Sequence, residues 1–177
     1  MPRTSRLDLR AFQQELARRL ASKTSAQVES SRLGLAFGGE NWLVKLPDAG
    51  EVIPLPLIAT VPLTRSWFLG VANIRGNLYS VVDFAAFMGG GATPLTRGGG
   101  SQARLVLFGE RSGDLRVGVV VSRVIGLRNL ADLEPTAPLG AMPAWYGPRW
   151  IDAEGVAWQE IDLGRLARDP VFLQVGE

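Results

Sequence analysis

Apolar residues follow two rhythms along this chain. Between residues 5 and 22, Leu9, Phe12, Leu16 and Leu20 recur at steps of three and four with arginines on the other faces, the spacing of an amphipathic helix. Ser5 followed by Asp8 is a start signal of the capping kind. A helix this short is marginal in isolation, so its stripe calls for a surface, ordinarily the chain's own domain and otherwise a partner protein. Residues 23–32, with Ser, Thr and Gln, read as a linker.

From residue 33 the period shortens to two. Leu33 to Phe37 and Trp42 to Leu46 flank Gly38-Gly39-Glu40-Asn41, and Trp42, Val44 and Leu46 alternate with Leu43 and Lys45, so a hairpin with one buried face is expected. Glu51 to Leu55 is a short extended segment, placed at an edge or strand end by Pro54 and Pro56. Residues 56–66 read as irregular. The stretch from Gly70 to Phe84, GVANIRGNLYSVVDF, reads as strand, tight turn, strand, with Gly76 free of the Cβ restriction on φ. Phe84 to Met88 makes one helical turn.

Ala103 to Phe108 and Leu115 to Val121 form the clearest strand pair, with Leu115, Val117, Val119 and Val121 on one side and Arg116, Gly118, Val120 and Ser122 on the other. Val124 to Leu127 continues as a short extended piece, and residues 129–150 read as an irregular connection. Ile151-Asp152 and Val156 to Ile161 suggest a last hairpin turning at Gly155. Asp162 then caps a short helix from Leu163 to Arg168 that Pro170 ends, and Val171 to Val175 follows as a final strand or a packed tail.

Composition agrees with a folded, mainly β chain: 46% of residues are hydrophobic, 20% are charged, and eleven prolines favour short elements joined by turns. The segment GGGATPLTRGGGSQ lacks the Gly-Lys-Ser/Thr ending of a phosphate-binding loop and is read as a flexible loop over residues 89–102. Residues 1–23 carry a balance of +4 and the rest −2, so basic character is confined to one end and a broad nucleic-acid face is not expected. No apolar run approaches the ~20 residues that cross a bilayer, and the start of the chain lacks the apolar core of a secretory signal, so the cytoplasm is the default location.

Two absences narrow the chemistry. There is no cysteine and no histidine, which excludes Ser-His-Asp triads, Cys-His pairs, thiolate or histidine-ligated metals and a phospho-accepting histidine. Lys23 and Lys45 are the only lysines. The remaining catalytic candidates are carboxylate pairs, Glu51 with Asp83, or Asp152 with Glu154 and Glu160. None sits in a recognisable motif, and acidic residues at turns are expected for solvation and capping alone, so neither an enzyme nor a cofactor is expected.

Asn73-Ile74-Arg75-Gly76, followed by a β-run ending Val81-Val82-Asp83-Phe84, resembles the Asn-Leu-Arg-Gly…Pro-Val-Ile-Asp-Leu signature of the CheW-like adaptors, which couple bacterial chemoreceptors to a histidine kinase. Gly70-Val71, Asn73, Arg75, Gly76 and Asp83 stand in their expected places, while Ile74 replaces Leu and Ser80 replaces a common Pro. The helical extension before the first strand is similar to that of the type IV pilus, twitching-motility members.

The resemblance implies a fold of two small five-stranded Src-homology-like β-barrels packed about an approximate two-fold axis, over residues 33–175, after an N-terminal region 1–32. It implies an apolar groove that takes the cytoplasmic helical hairpin of a chemoreceptor, with the end of one barrel pairing with the regulatory domain of a CheA-type histidine kinase. By position, Val124 and Leu127 would line the groove and Asn73, Arg75 and Gly76 would shape its edge. The family's strand Glu falls on Glu51, implying an ion pair with Arg75. Such an adaptor would be cytoplasmic, associated with receptor arrays at the inner membrane and not inserted in it. The alternative is a β-barrel protein-binding regulatory module in another pathway.

Overall fold

The computed structural model describes residues 29–95, 102–138 and 140–177, together with Gln14. The helix expected over 5–22, apart from a helical Gln14, and the centre of the glycine-rich loop, 96–101, lie outside the described residues.

Among the described residues, eleven strands form two sheets. They are β1 (Ser31–Phe37), β2 (Glu40–Lys45), β3 (Ala49–Pro54), β4 (Phe68–Ile74), β5 (Asn77–Asp83), β6 (Arg104–Phe108), β7 (Val117–Val121), β8 (Arg123–Asn129), β9 (Glu134–Thr136), β10 (Tyr146–Ile151) and β11 (Ala157–Ile161). One sheet has the order β8-β1-β2-β11-β10-β9 and the other β3-β6-β7-β5-β4. The chain therefore starts in the first sheet, crosses to the second after β2, and returns after β7. The first sheet carries six strands where five were expected, because Glu134–Thr136 pairs with Arg149–Ile151 inside the stretch read as irregular. The last strand pair also begins earlier than its sequence suggests, at Tyr146, since alternation there is obscured by Gly147 and Pro148.

Each sheet curls on itself. In the second, β3 and β4 are opposite edges, yet Arg75 in the β4–β5 turn reaches Glu51 of β3. In the first, only four residues separate the end of β8 from β9 at the opposite edge, and Leu130 and Leu133 in that link pack with Leu43, Ile125, Trp150 and Trp158. Strand twist accumulated over five or six strands makes such closure the natural way to hide a small core.

Curling divides the alternating side chains between two destinations, so central strands are buried on both faces. Trp42 and Val44 enter a core shared by the two sheets while Leu43 enters the first barrel. Val117, Val119 and Val121 enter the shared core while Val120 meets Leu105 and Val81 inside the second barrel. The single buried face expected for the β1–β2 hairpin is thus corrected: the period of two is real, but both phases find apolar partners.

Three short helices lid the shared core: α1 (Phe84–Phe87), α2 (Leu163–Leu166) and α3 (Pro170–Leu173). Each is started by an aspartate whose side chain accepts a backbone N–H, Asp83 from Ala86, Asp162 from Arg165, and Asp169 from Val171 and Phe172. Pro170 opens α3 rather than merely ending α2, since at the first helical position its missing N–H costs nothing. Residues 171–173, expected as strand or tail, are therefore helical, and only Gly176 makes a β-bridge, to Thr64.

Aromatic rings fill the shared core. Phe37 stacks on Trp42 at 4.7 Å and meets Phe84 edge-on at 4.8 Å, and Phe87 meets Phe172 edge-on at 5.2 Å. Phe84, which follows β5 of the second sheet, is 1% exposed and touches Trp42 and Trp145 from the half built on the first sheet. Phe84→Ala should destabilise the chain by about 3–5 kcal/mol in urea unfolding, and a loss under about 1 kcal/mol would show that the junction is not a single packed unit.

Candidate functional site

The β4–β5 turn is built by three local devices. Arg75 and Gly76 both take left-handed backbone conformations, φ 51° and 83°, as a two-residue turn matched to strand twist requires. The Asn73 side chain accepts the Gly76 N–H at 2.9 Å, so the turn is held from within. Arg75 then donates twice to Glu51, Nη1 to Oε2 at 2.9 Å and Nη2 to Oε1 at 2.6 Å. Beside it Arg116 Nη1 donates to the Asn77 side-chain Oδ1 at 2.7 Å.

Behind the turn, Gly70 lets β4 approach the carbonyl of Ala59, where a Cβ would collide with backbone. Ala59 and Val71 exchange both backbone hydrogen bonds, which ties the irregular 55–66 stretch to the hairpin. At the far end of β5, Asp83 is 1% exposed and does three things with one carboxylate. It caps α1, accepts the Thr93 N–H at 2.6 Å, and accepts the Thr93 hydroxyl at 2.9 Å, anchoring the start of the glycine-rich loop.

Asn73, Arg75, Gly76 and Glu51 are thus brought together at one tip. Val124 and Leu127 are not part of it: they lie on β8, an edge of the other sheet, where Val124 packs against the shared core and Leu127 is exposed. The carboxylate candidates separate as well. Asp83 is at the opposite end of a seven-residue strand from the tip where Glu51 sits. Glu160 is buried, accepting from Arg32 at 3.1 Å and from Trp150 at 3.2 Å, while Asp152 accepts from Trp158 at 2.9 Å and from the Val156 N–H at 2.8 Å. The hydrogen bond from Trp158 holds Asp152 below its ordinary value. These acids are committed to structure, and among the described residues no group of acidic side chains could hold a metal ion.

A depression of about 250 Å³ lies elsewhere, lined by Glu40, Asn41, Arg149 and Gln159 among others, and contains none of the predicted residues. What sequence reasoning missed is the Arg32–Glu160 pair, 128 positions apart, and the polar junction where the chain crosses between sheets. There Asp48 is buried beside Arg111 at 3.7 Å, and its carbonyl accepts the Gly109 N–H at 2.7 Å. Burial pushes the Asp48 carboxyl above its ordinary value, Asp162 adds to the rise, and Lys45, Arg111 and Arg32 oppose it.

Comparison with known proteins places this geometry. A family model described as a CheW-like domain matches residues 33–171. Protein PilI of Pseudomonas aeruginosa is 33% identical over 116 residues, covering 63% of this chain and 62% of that protein. Protein FrzA of Myxococcus xanthus is 35% identical over 92 residues, covering 51% and 53% respectively. The matched stretch thus spans under two thirds of either relative. The scaffolding protein TtCheW of Thermoanaerobacter tengcongensis superposes with a TM-score of 0.59 over 76% of this chain and 89% of that one, at 19% identity, a likeness of fold. Among the described residues no helix is long and apolar enough to cross a membrane.

The Arg75–Glu51 pair is exposed, with side chains 74% and 38% accessible, so water screens it. Arg75→Ala should therefore shift the unfolding free energy by only ~0–1 kcal/mol; a loss of 3 kcal/mol would mark the pair as a structural lock. For Asp48 the raised folded value means that, as pH rises through 3.8, the carboxyl ionises first in the unfolded chain and so favours unfolding. Compared at successive pH values by urea unfolding, Asp48→Asn should gain on the parent as pH rises from 3.8, levelling off above the folded value. A difference that does not change with pH would contradict this.

Proposed function

The chain belongs to the CheW-like domain family, and from that premise we propose that it is a non-catalytic signalling adaptor. It holds the cytoplasmic helical hairpin of a chemoreceptor beside the regulatory domain of a CheA-type histidine kinase, in a system controlling type IV pilus twitching motility. The observation that carries the reading is the family match across residues 33–171, nearly the whole described fold.

The chemistry of the chain supports it. Without histidine or cysteine, and with its buried carboxylates engaged in caps and ion pairs, the protein offers surfaces rather than reactive groups. An adaptor of this kind acts by differential contact: it binds one arrangement of receptor and kinase better than another and so shifts the kinase population. Its place is the cytoplasmic face of the inner membrane, within receptor arrays.

Arg75 is the residue of interest at the tip. A non-glycine residue in the left-handed region is strained, and Asn or Gly would fit the turn with less cost, so what the position retains is a guanidinium. A guanidinium fixed by a bidentate carboxylate and still three-quarters accessible is suited to orienting a polar group on an arriving helix. Asn73 and Gly76 hold that orientation. Val124 and Leu127 supply apolar area from the other barrel.

Arg75→Ala should weaken capture of the receptor hairpin about tenfold, which is ~1.4 kcal/mol, and blunt receptor-dependent control of the kinase in a reconstituted array. An unchanged kinase response would count against the assignment. Binding to neither the receptor hairpin nor the kinase regulatory domain in a pulldown would favour a regulatory module of another pathway.

A further inference from the structure

The edge strand β8 leaves an apolar strip whose position suggests what covers it. Val124 pairs with Leu35 and Leu127 pairs with Leu33, so both lie on the side of the sheet that faces the shared core. Val124 reaches that core, but Leu127 overhangs its rim and is 67% exposed. No strand lies beyond β8 in its sheet among the described residues.

The chain enters the fold beside this strip. Ser31, the first residue of β1, pairs with Asn129 at the end of β8, two positions from Leu127. Arg32 donates to the Glu29 and Ser31 carbonyls, which fixes the direction of entry. Upstream lie 28 residues, and within them the stripe of Leu9, Phe12, Leu16 and Leu20 needs a surface. Gln14, opposite that stripe, is helical and exposed. The six residues 23–28 span at most ~20 Å, enough to bring the end of the stripe back along β8.

Other exposed leucines lie elsewhere. Leu57 and Leu63 stand on the β3–β4 connection, which is tied to β4 of the other sheet and to residues 175–177. β8 itself carries Arg123 and Arg128, with Asp132 and Glu134 only on the link to β9 and on β9, so charge does not draw a basic segment to it and apolar area decides.

We propose that residues 5–22 of this chain dock on the Val124–Leu127 strip of β8.

The test is limited trypsin digestion of the full chain, following cleavage at Arg18, Arg19 and Lys23 in the parent, in Leu127→Glu and in Leu57→Glu. Both leucines are exposed, so both variants should fold, which the unfolding midpoint checks. Docking predicts cleavage about tenfold faster in Leu127→Glu, with Leu57→Glu like the parent. Equal rates in all three, or acceleration only in Leu57→Glu, would overturn the proposal. So would protection in the parent that vanishes on dilution, since that means a second copy covers the strip.

Discussion

Packing of aromatic rings between two curled sheets is the constraint on which the rest of this molecule depends. Each barrel's interior is small: six buried apolar residues in one, and Leu43, Leu133 and Trp158 in the other. Neither holds enough apolar area to stabilise a domain of that size alone. The shared core collects Phe37, Trp42, Phe84, Trp145 and Phe172 from both halves, two of them on short helices, together with Leu163 and Leu166 of α2. Burial of that many rings, with edge-on and stacked contacts, makes the two barrels one packed unit.

Polar groups then specify how the apolar surfaces meet. Inside the first barrel Glu160 accepts from Arg32 and from Trp150, so both its oxygens have donors and three strands are tied in register. Desolvating such a pair contributes little net stability, but a slipped register would strand a buried charge. At the crossing between sheets, Asp48 is buried, and its raised pKa, which burial and Asp162 push up against Lys45, Arg111 and Arg32, is a cost carried in the native state. The cap of α1 and the anchor of the glycine-rich loop meet in the single carboxylate of Asp83, which accounts physically for an aspartate at the end of the Val-Val-Asp-Phe run.

The elements proposed for recognition differ in how the fold holds them. The β4–β5 tip is braced by its own side chains and by β3, so the guanidinium of Arg75 is held while remaining in water. The β8 strip, by contrast, is half core and half surface. The tip and the strip lie on different barrels, and the shared core fixes the two halves together.

Much was legible from the residues alone. The strand-turn-strand at 70–84, the cap at Asp162 and the single turn after Asp83 rest on local chemistry, turn residues and capping side chains, whereas the Glu51–Arg75 partnership, 24 positions apart, was reached only through the family resemblance. The missing histidine and cysteine likewise limited the chemistry before any fold was known. What only the tertiary structure decided was where the second phase of each alternating strand goes. Val120 and Leu43 read as backs of half-buried strands, and they are interior because the sheets curl. The Arg32–Glu160 bond, the three-residue β9 and the helical turn begun by Pro170 were equally hidden, since partners 128 positions apart and pairings three residues long leave no periodicity to read. Local sequence carries the propensities of elements, whereas closure of a barrel is a property of many strands twisting together.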